Sequence, residues 1–251
     1  SACGAAAMND HAVTLTNAER VRVAVNQRPR DAATMMILDR AAAKPRILMG
    51  KRHPGHKFMP GKYVFPGGRV DPGDRRMAAT GALPQICEDR LLKRTLRPSA
   101  GKARALALAA IRETFEETGL LFGSTEFGAP KKAPAGSWAD FAGHGIFPDL
   151  SAVTFVARAI TPPRRPKRFD TRFFTVDATA SAKRIENVVG PDSELIDLVW
   201  VDFDEAKELD LPTITKVIIQ EVEARIAGGF APWLPVPFYW EKNGRFVREE
   251  L

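Results

Sequence analysis

Apolar positions fall into short runs and one long periodic stretch, and these two patterns predict the elements. ATMMILD (33–39) and PRILMGK (45–51), separated by the small-residue stretch RAAAK, predict two strands joined as a hairpin. AVTFVARAI (152–160), RFFTV (172–176) and LVWV (198–201) predict further strands. KARALALAAIRETFEET (102–118) carries the clearest helical period, and Gly119 is its natural stop. Shorter helices are expected within 75–100, where Leu83, Ile86, Leu91 and Leu92 sit, and at SWADFAG (137–143), 203–209 and 213–227. Asp202 and Thr213 are the expected N-caps of the last two. HPGHKFMPGKYVFPGGRVDPGD (53–74) is too rich in Gly and Pro for regular structure except around KYVF, so its backbone must turn repeatedly.

On the 102–118 helix, Leu108, Ile111 and Phe115 share one stripe while Glu113, Glu116 and Glu117 cluster roughly opposite, facing away from the core. Glu113 is three and four residues from the other two, so the carboxylates converge and repel unless a cation joins them. Oxygen-only donors of this kind suit Mg²⁺ or Mn²⁺. Arg112 can pair with Glu116 or orient Glu113. The alternative is an ordinary solvated acidic face. FPGG (65–68) favours the site, because paired glycines let the backbone approach a ligand and offer it a carbonyl.

The 251 residues, 45% hydrophobic and 27% charged, can bury a sizeable core. Every hydrophobic run is interrupted before the roughly 18 apolar residues that a spanning helix needs, so no membrane association is expected. Met8 can serve as initiator with residues 1–7 as an added remnant, and the start lacks a secretory leader's pattern. Cys3 and Cys87 are too few for a disulfide framework and sit in no zinc motif, which fits two free thiols in a reducing cytoplasm. His53, His56 and His144 show no metal-ligand spacing. A net charge of +7 favours a phosphate-bearing partner. TPPRRPKRF (161–169) holds three prolines and no nucleic-acid motif accompanies it, so a solvated or substrate-facing loop is expected and nucleic acid is not.

Gly68, five residues and Asp74, followed later by RETFEETGL (112–120), resembles the Nudix hydrolase signature Gx5Ex7REUxEExGU, with Thr114 at the first U. Asp74 stands where that family has Glu, and 37 residues rather than seven separate it from Arg112. This takes Asp74 off the glutamate helix and gives it a turn or capping role. Upstream, Leu48 to Gly68 is similar to the coenzyme A diphosphatase motif LLTxR[SA]x3Rx3Gx3FPGG: Arg52, Gly61 and FPGG are in register, Gly50 replaces Thr, His53 replaces Ser or Ala, and Lys57 holds the second Arg position. The long insertion is similar to that of one branch of those enzymes. The chain ends REEL rather than in a peroxisomal signal, again pointing to the cytoplasm.

The resemblance implies an α/β/α sandwich with a mixed sheet and inserted helical and loop segments. Residues 1–30 are then an N-terminal extension, 31–228 the Nudix domain with insertions at about 75–101 and 123–150, and 229–251 a tail that packs on its own domain or on a second subunit of a homodimer. It implies Glu113, Glu116, Glu117 and the Gly68 carbonyl as ligands of Mg²⁺ or Mn²⁺, catalytic work for Glu113 with Arg112 orienting it, and Glu194 of GPDSELID (190–197) as a further ligand or base. Arg52 and Lys57 become candidates for the substrate's phosphates, and Arg168 and Arg172, beside aromatics in RFDTRFF, for a phosphate and a stacked adenine, with an inter-strand salt bridge as the competing account. The expected activity is hydrolysis of a diphosphate linkage in a phosphate-rich small molecule, with coenzyme A or an acyl thioester of it leading and ADP-ribose or a nucleotide sugar as runner-up. The SQPWPFPxS element of NADH-cleaving relatives is absent. A nucleotide sensor without catalysis is the reading from a different class, and three converging carboxylates argue against it.

Overall fold

The computed structural model describes residues 2–18, 23–55 and 59–251, and side chains from Asp10 onward. The expected hairpin forms: strands β1 (Arg30–Asp39) and β2 (Arg46–Arg52) run antiparallel with Leu38 opposite Ile47. β1 also pairs in parallel with β8 (Phe169–Asp177), which is antiparallel to β7 (Val153–Ile160). β10 (Leu195–Asp202) borders β2, giving a mixed sheet. Two short strands attach beside this row, β3 (Tyr63–Val64) to β2 and β4 (Gly67–Arg69) to β1. A small second sheet is built from β5 (Leu120–Ser124), β6 (Phe147–Pro148) and β9 (Ser181–Arg184).

Strand alternation divides the core into two layers. Ala33, Met35 and Ile37 of β1 pack on one face against α3 (Ala100–Thr118), with α2 (Gln85–Leu92) and α4 (Ser137–Gly143) beside it. Met36 and Leu38 point to the other face, under α5 (Phe203–Glu208) and α6 (Thr213–Ala227). The result is the expected α/β/α sandwich. α3 is buried on more than one side because its small residues, Ala103 to Ala110, let it lie deep between the sheet and the 75–150 segments. Ser99 caps its start and Gly119, at φ 75°, ends it.

Several expectations change. Thr213 is the first helical residue of α6 rather than its cap; Pro212 occupies the cap position and no side chain caps it. Asp202 does cap α5, forming a reciprocal box with Glu205. The N-terminal stretch holds a helix, α1 (Ala2–Asn17), whose Leu15 is buried in the second core layer. The C-terminal stretch lies on its own domain: β11 (Pro237–Lys242) joins β7 in parallel and turns back through Asn243-Gly244 into β12 (Arg245–Glu250). Among the described residues no helix is long and apolar enough to cross a membrane, and Cys87 is a buried free thiol.

Candidate active site

Two glycines allow the site to exist. β4 runs between β1 and α3, and a Cβ on Gly67 would lie 2.6 Å from the Ala33 carbonyl oxygen, one on Gly68 2.4 Å from Glu113 Oε1. Only a backbone without side chains fits there. The Gly67 N–H donates to Glu117 Oε2 at 3.3 Å, so the turn and the last helical turns of α3 are held together directly.

Arg112 organises the other half. Its Nε and Nη2 donate to Asp74 Oδ1 and Oδ2 at 2.8 and 3.1 Å, Nη2 also reaches the Arg69 carbonyl at 2.8 Å, and Nη1 bonds both Glu113 and Glu116 at 2.9 Å. Sequence spacing gave Arg112 the two glutamates but not the Asp74 fork. Asp74 does have its expected turn role, accepting from the Asp71 N–H at 2.7 Å, yet it is also fully buried and bonded by Trp138 Nε1 at 2.8 Å. The insertion therefore bows out between Asp74 and Arg112 while leaving their bidentate contact in place. Trp138 was missed because it lies 64 positions along the chain from Asp74 and no spacing rule spans that. Asp74 had one available signal, that a guanidinium on a buried helix needs a buried carboxylate.

The glutamates do not form the ordinary solvated acidic face that was the alternative, since Glu117 is buried and Glu113 nearly so. Burial pushes Glu113 up to about 7, against the pull of Arg112. Glu117 is raised well above the carboxylate range, first by burial and then by the charges of Glu194 and Glu113. Glu116 is the most accessible of the three, at 31%. The reason for the difference is β4, which covers this face of α3 and is invisible to periodicity.

Glu194 lies near enough for its charge to raise both Glu113 and Glu117, and Arg52 Nη1 donates to its Oε1 at 2.6 Å. Gly50 faces Leu195, and a Cβ there would lie 2.4 Å from Leu195 Cδ1. Arg168 lies away from this cluster, tying β8 to the Thr161 carbonyl and to Asn26. Arg172 is fully buried and bonded to Asp31 at 2.7 Å, Asp170 at 3.0 Å and Thr95 Oγ1 at 3.1 Å. That leaves it no surface for a ligand, so the salt-bridge account replaces its substrate-binding role. Lys57 and His56 lie outside the described residues.

Among the described residues, no three His, Cys, Asp or Glu side chains already stand as a ligand set, and Arg112 and Arg52 supply the local positive charge. The donors nevertheless fit a hard divalent cation: they are all oxygens, and their burial and mutual repulsion are relieved by a charge of +2.

Neither the family models nor the curated proteins compared with this chain match it. Solved structures do. A NUDIX hydrolase from Alicyclobacillus acidocaldarius is 26% identical over 81% of this chain and 96% of its own, with a TM-score of 0.60. An Ap4A hydrolase of C. elegans is 16% identical, covering 79% and 99%, at 0.40. The NUDIX domain of Shewanella oneidensis NrtR, solved with ADP ribose, is 12% identical, covering 86% and 97%, at 0.43. The first likeness supports a Nudix-type hydrolase; the other two, at such scores, add nothing to it.

Proposed function

We propose that this chain, a Nudix-type hydrolase in its fold and in the acidic turn of its long helix, cleaves the diphosphate linkage of a nucleoside diphosphate derivative. Coenzyme A or an acyl thioester of it is the leading substrate, giving adenosine 3′,5′-bisphosphate and a 4′-phosphopantetheine product. The observation that carries the reading is that Glu113 and Glu117 lie against the Gly67-Gly68 turn, with Glu116 beside Glu113 on the Arg112 guanidinium and Glu194 held by Arg52.

Glu113, Glu116, Glu117 and the Gly68 carbonyl would hold Mg²⁺ or Mn²⁺. When bound, such an ion neutralises diphosphate charge and makes attacking water more acidic. Arg112, a positioning residue, fixes Glu113 and Glu116 through its own fork onto Asp74. Arg52 stands next to Glu194 and supplies a guanidinium for a phosphate oxygen. Glu113, held by Arg112 beside the Gly68 turn, would serve either as a further ligand of that ion or as the group that orients the attacking water.

The test is turnover of coenzyme A, ADP-ribose, NADH and UDP-glucose with Mg²⁺ or Mn²⁺, alongside Glu116→Gln. Coenzyme A is expected to be cleaved fastest, and Glu116→Gln to lose about 100-fold or more in kcat while melting like the parent. Turnover of ADP-ribose alone removes the coenzyme A assignment, and no turnover of any of the four favours a sensor.

A further inference from the structure

The segment after Gly68 does more than reach Asp74. Together with the start of β1 it encloses an open cavity of about 830 Å³, lined by Arg30, Arg69, Arg75, Arg76, Asp31 and Asp71. All four arginines are exposed, and among the described residues none of their guanidinium groups has a hydrogen bond or ion pair within the protein. The other arginines around the sheet differ: Arg52, Arg112, Arg158 and Arg172 are each bonded to a carboxylate. Nor do the cavity's own acids neutralise it. Asp31 is already taken by Lys102 at 2.8 Å and Arg172 at 2.7 Å, which leaves Asp71 against four unpaired cations.

Four guanidinium groups in one concavity, none of them bonded to a carboxylate and outnumbering the two that line it, repel one another and form a receptor for an anion with several oxygens. The cavity's place in the chain narrows which anion. Arg69 follows Gly68 directly, about 3.8 Å along the backbone. Its carbonyl is bonded by the same Arg112 guanidinium that holds Glu113 and Glu116, and Arg75 follows Asp74, the other partner of that guanidinium. One rigid ion-pair unit therefore connects the arginine wall to the glutamates.

We propose that this cavity is the subsite for a phosphate group that the substrate carries outside the scissile diphosphate, bound by Arg69, Arg75 and Arg76 with Arg30. The proposal rests on the diphosphatase reading, and the group meant is the 3′-phosphate on the adenosine end of coenzyme A. It gives the insertion between Asp74 and Arg112 a chemical task, since Arg75 and Arg76 are its first residues.

Arg75→Ala/Arg76→Ala tests this, both positions being exposed loop residues whose loss leaves no buried group unpaired. KM is measured with coenzyme A and with dephospho-coenzyme A at low ionic strength, where such contacts are least screened. The parent should prefer coenzyme A by about tenfold or more in KM, and the double variant should lose that preference. An unchanged preference in the variant, or a parent with none, overturns the proposal. If the parent cleaves neither compound, the diphosphatase reading fails on its own, and calorimetric titration decides the subsite. The parent should then bind adenosine 3′,5′-bisphosphate about tenfold or more tighter than AMP, with the difference abolished by the double substitution; equal affinities in the parent contradict it.

Discussion

Replacing Gly68 by Ala perturbs the site by a single methyl group, and the consequence follows from the geometry. The new Cβ would lie 2.4, 2.5 and 2.6 Å from Oε1, Cδ and Oε2 of Glu113, where ordinary contact begins at 3.4 Å. The carboxylate must therefore retreat by about 1 Å. It cannot do so freely, because Oε1 accepts from Arg112 Nη1 at 2.9 Å and that guanidinium is pinned by Asp74 and the Arg69 carbonyl. Losing one charge-assisted hydrogen bond costs about 1.5–3 kcal/mol, offset by the ~0.4–1 kcal/mol that Gly→Ala removes from unfolded-chain entropy. The net is about 0.5–2.5 kcal/mol of stability. A 1 Å misplacement of a reacting group costs about 100-fold in rate. Gly68→Ala should thus lose about two orders of magnitude in kcat/KM on coenzyme A while its urea midpoint moves modestly. Gly101→Ala, in open space near the start of α3, serves as the control and should keep full activity. Parental kcat/KM in Gly68→Ala would refute the reasoning, because Glu113 would then be free to stand anywhere.

Asp74→Asn removes one partner of a buried ion pair and should destabilise by about 3–5 kcal/mol in urea denaturation, with an unchanged midpoint counting against the fork as a structural element. Arg172→Met should destabilise by a similar ~3 kcal/mol yet leave KM for dephospho-coenzyme A, which does not engage the Asp31 cavity, where it was; a raised KM for that compound would restore a substrate role to Arg172. Stability of the metal-free protein should peak near pH 5 and fall on both sides. On the acid side, burial alone would raise Glu221, but bonds from His11, Arg248 and Tyr239 outweigh it and hold it at about 2, below its ordinary 4.5; its contribution, about 3 kcal/mol, is present above pH 4.5 and lost as pH falls through 2. On the alkaline side, Glu113, raised by burial from 4.5 to about 7, contributes stability below pH 4.5 that is lost, again by about 3 kcal/mol, as pH rises through 7. Mn²⁺ should flatten only the alkaline arm of a thermal-melt profile, and an unchanged arm would contradict the grouping of carboxylates.

What the sequence made legible follows from how local the cause was. β1, β2 and α3 are set by side-chain periodicity within a few residues, and their bounds agree with the pattern to within three residues. The strand β4 was not legible because Gly67, Gly68 and Arg69 carry no apolar alternation; it forms on the edge of Ala32 to Thr34 that faces away from β8 and that β2, pairing β1 at Leu38 and Asp39, leaves open. The C-terminal hairpin had a readable signal, Asn243-Gly244 with φ of 50° and 82°, the pair that two-residue hairpin turns favour. Prolines and tryptophans around it obscured the strands. At the site, Arg112 with Glu113 and Glu116 could be read from spacing on one helix. The Asp74 fork, the Trp138 bond and the burial of Glu117 are long-range contacts that no local pattern encodes.

Cleavage as proposed requires a divalent cation seated among these glutamates. Anomalous difference density from a Mn²⁺-soaked crystal tests that directly. The predicted result is a peak within coordination distance, about 2.0–2.3 Å, of carboxylate oxygens from at least two of Glu113, Glu116 and Glu117, beside the Gly68 carbonyl. Density confined to other surface carboxylates, with this turn still bonded to Arg112 and empty at saturating Mn²⁺, would contradict it.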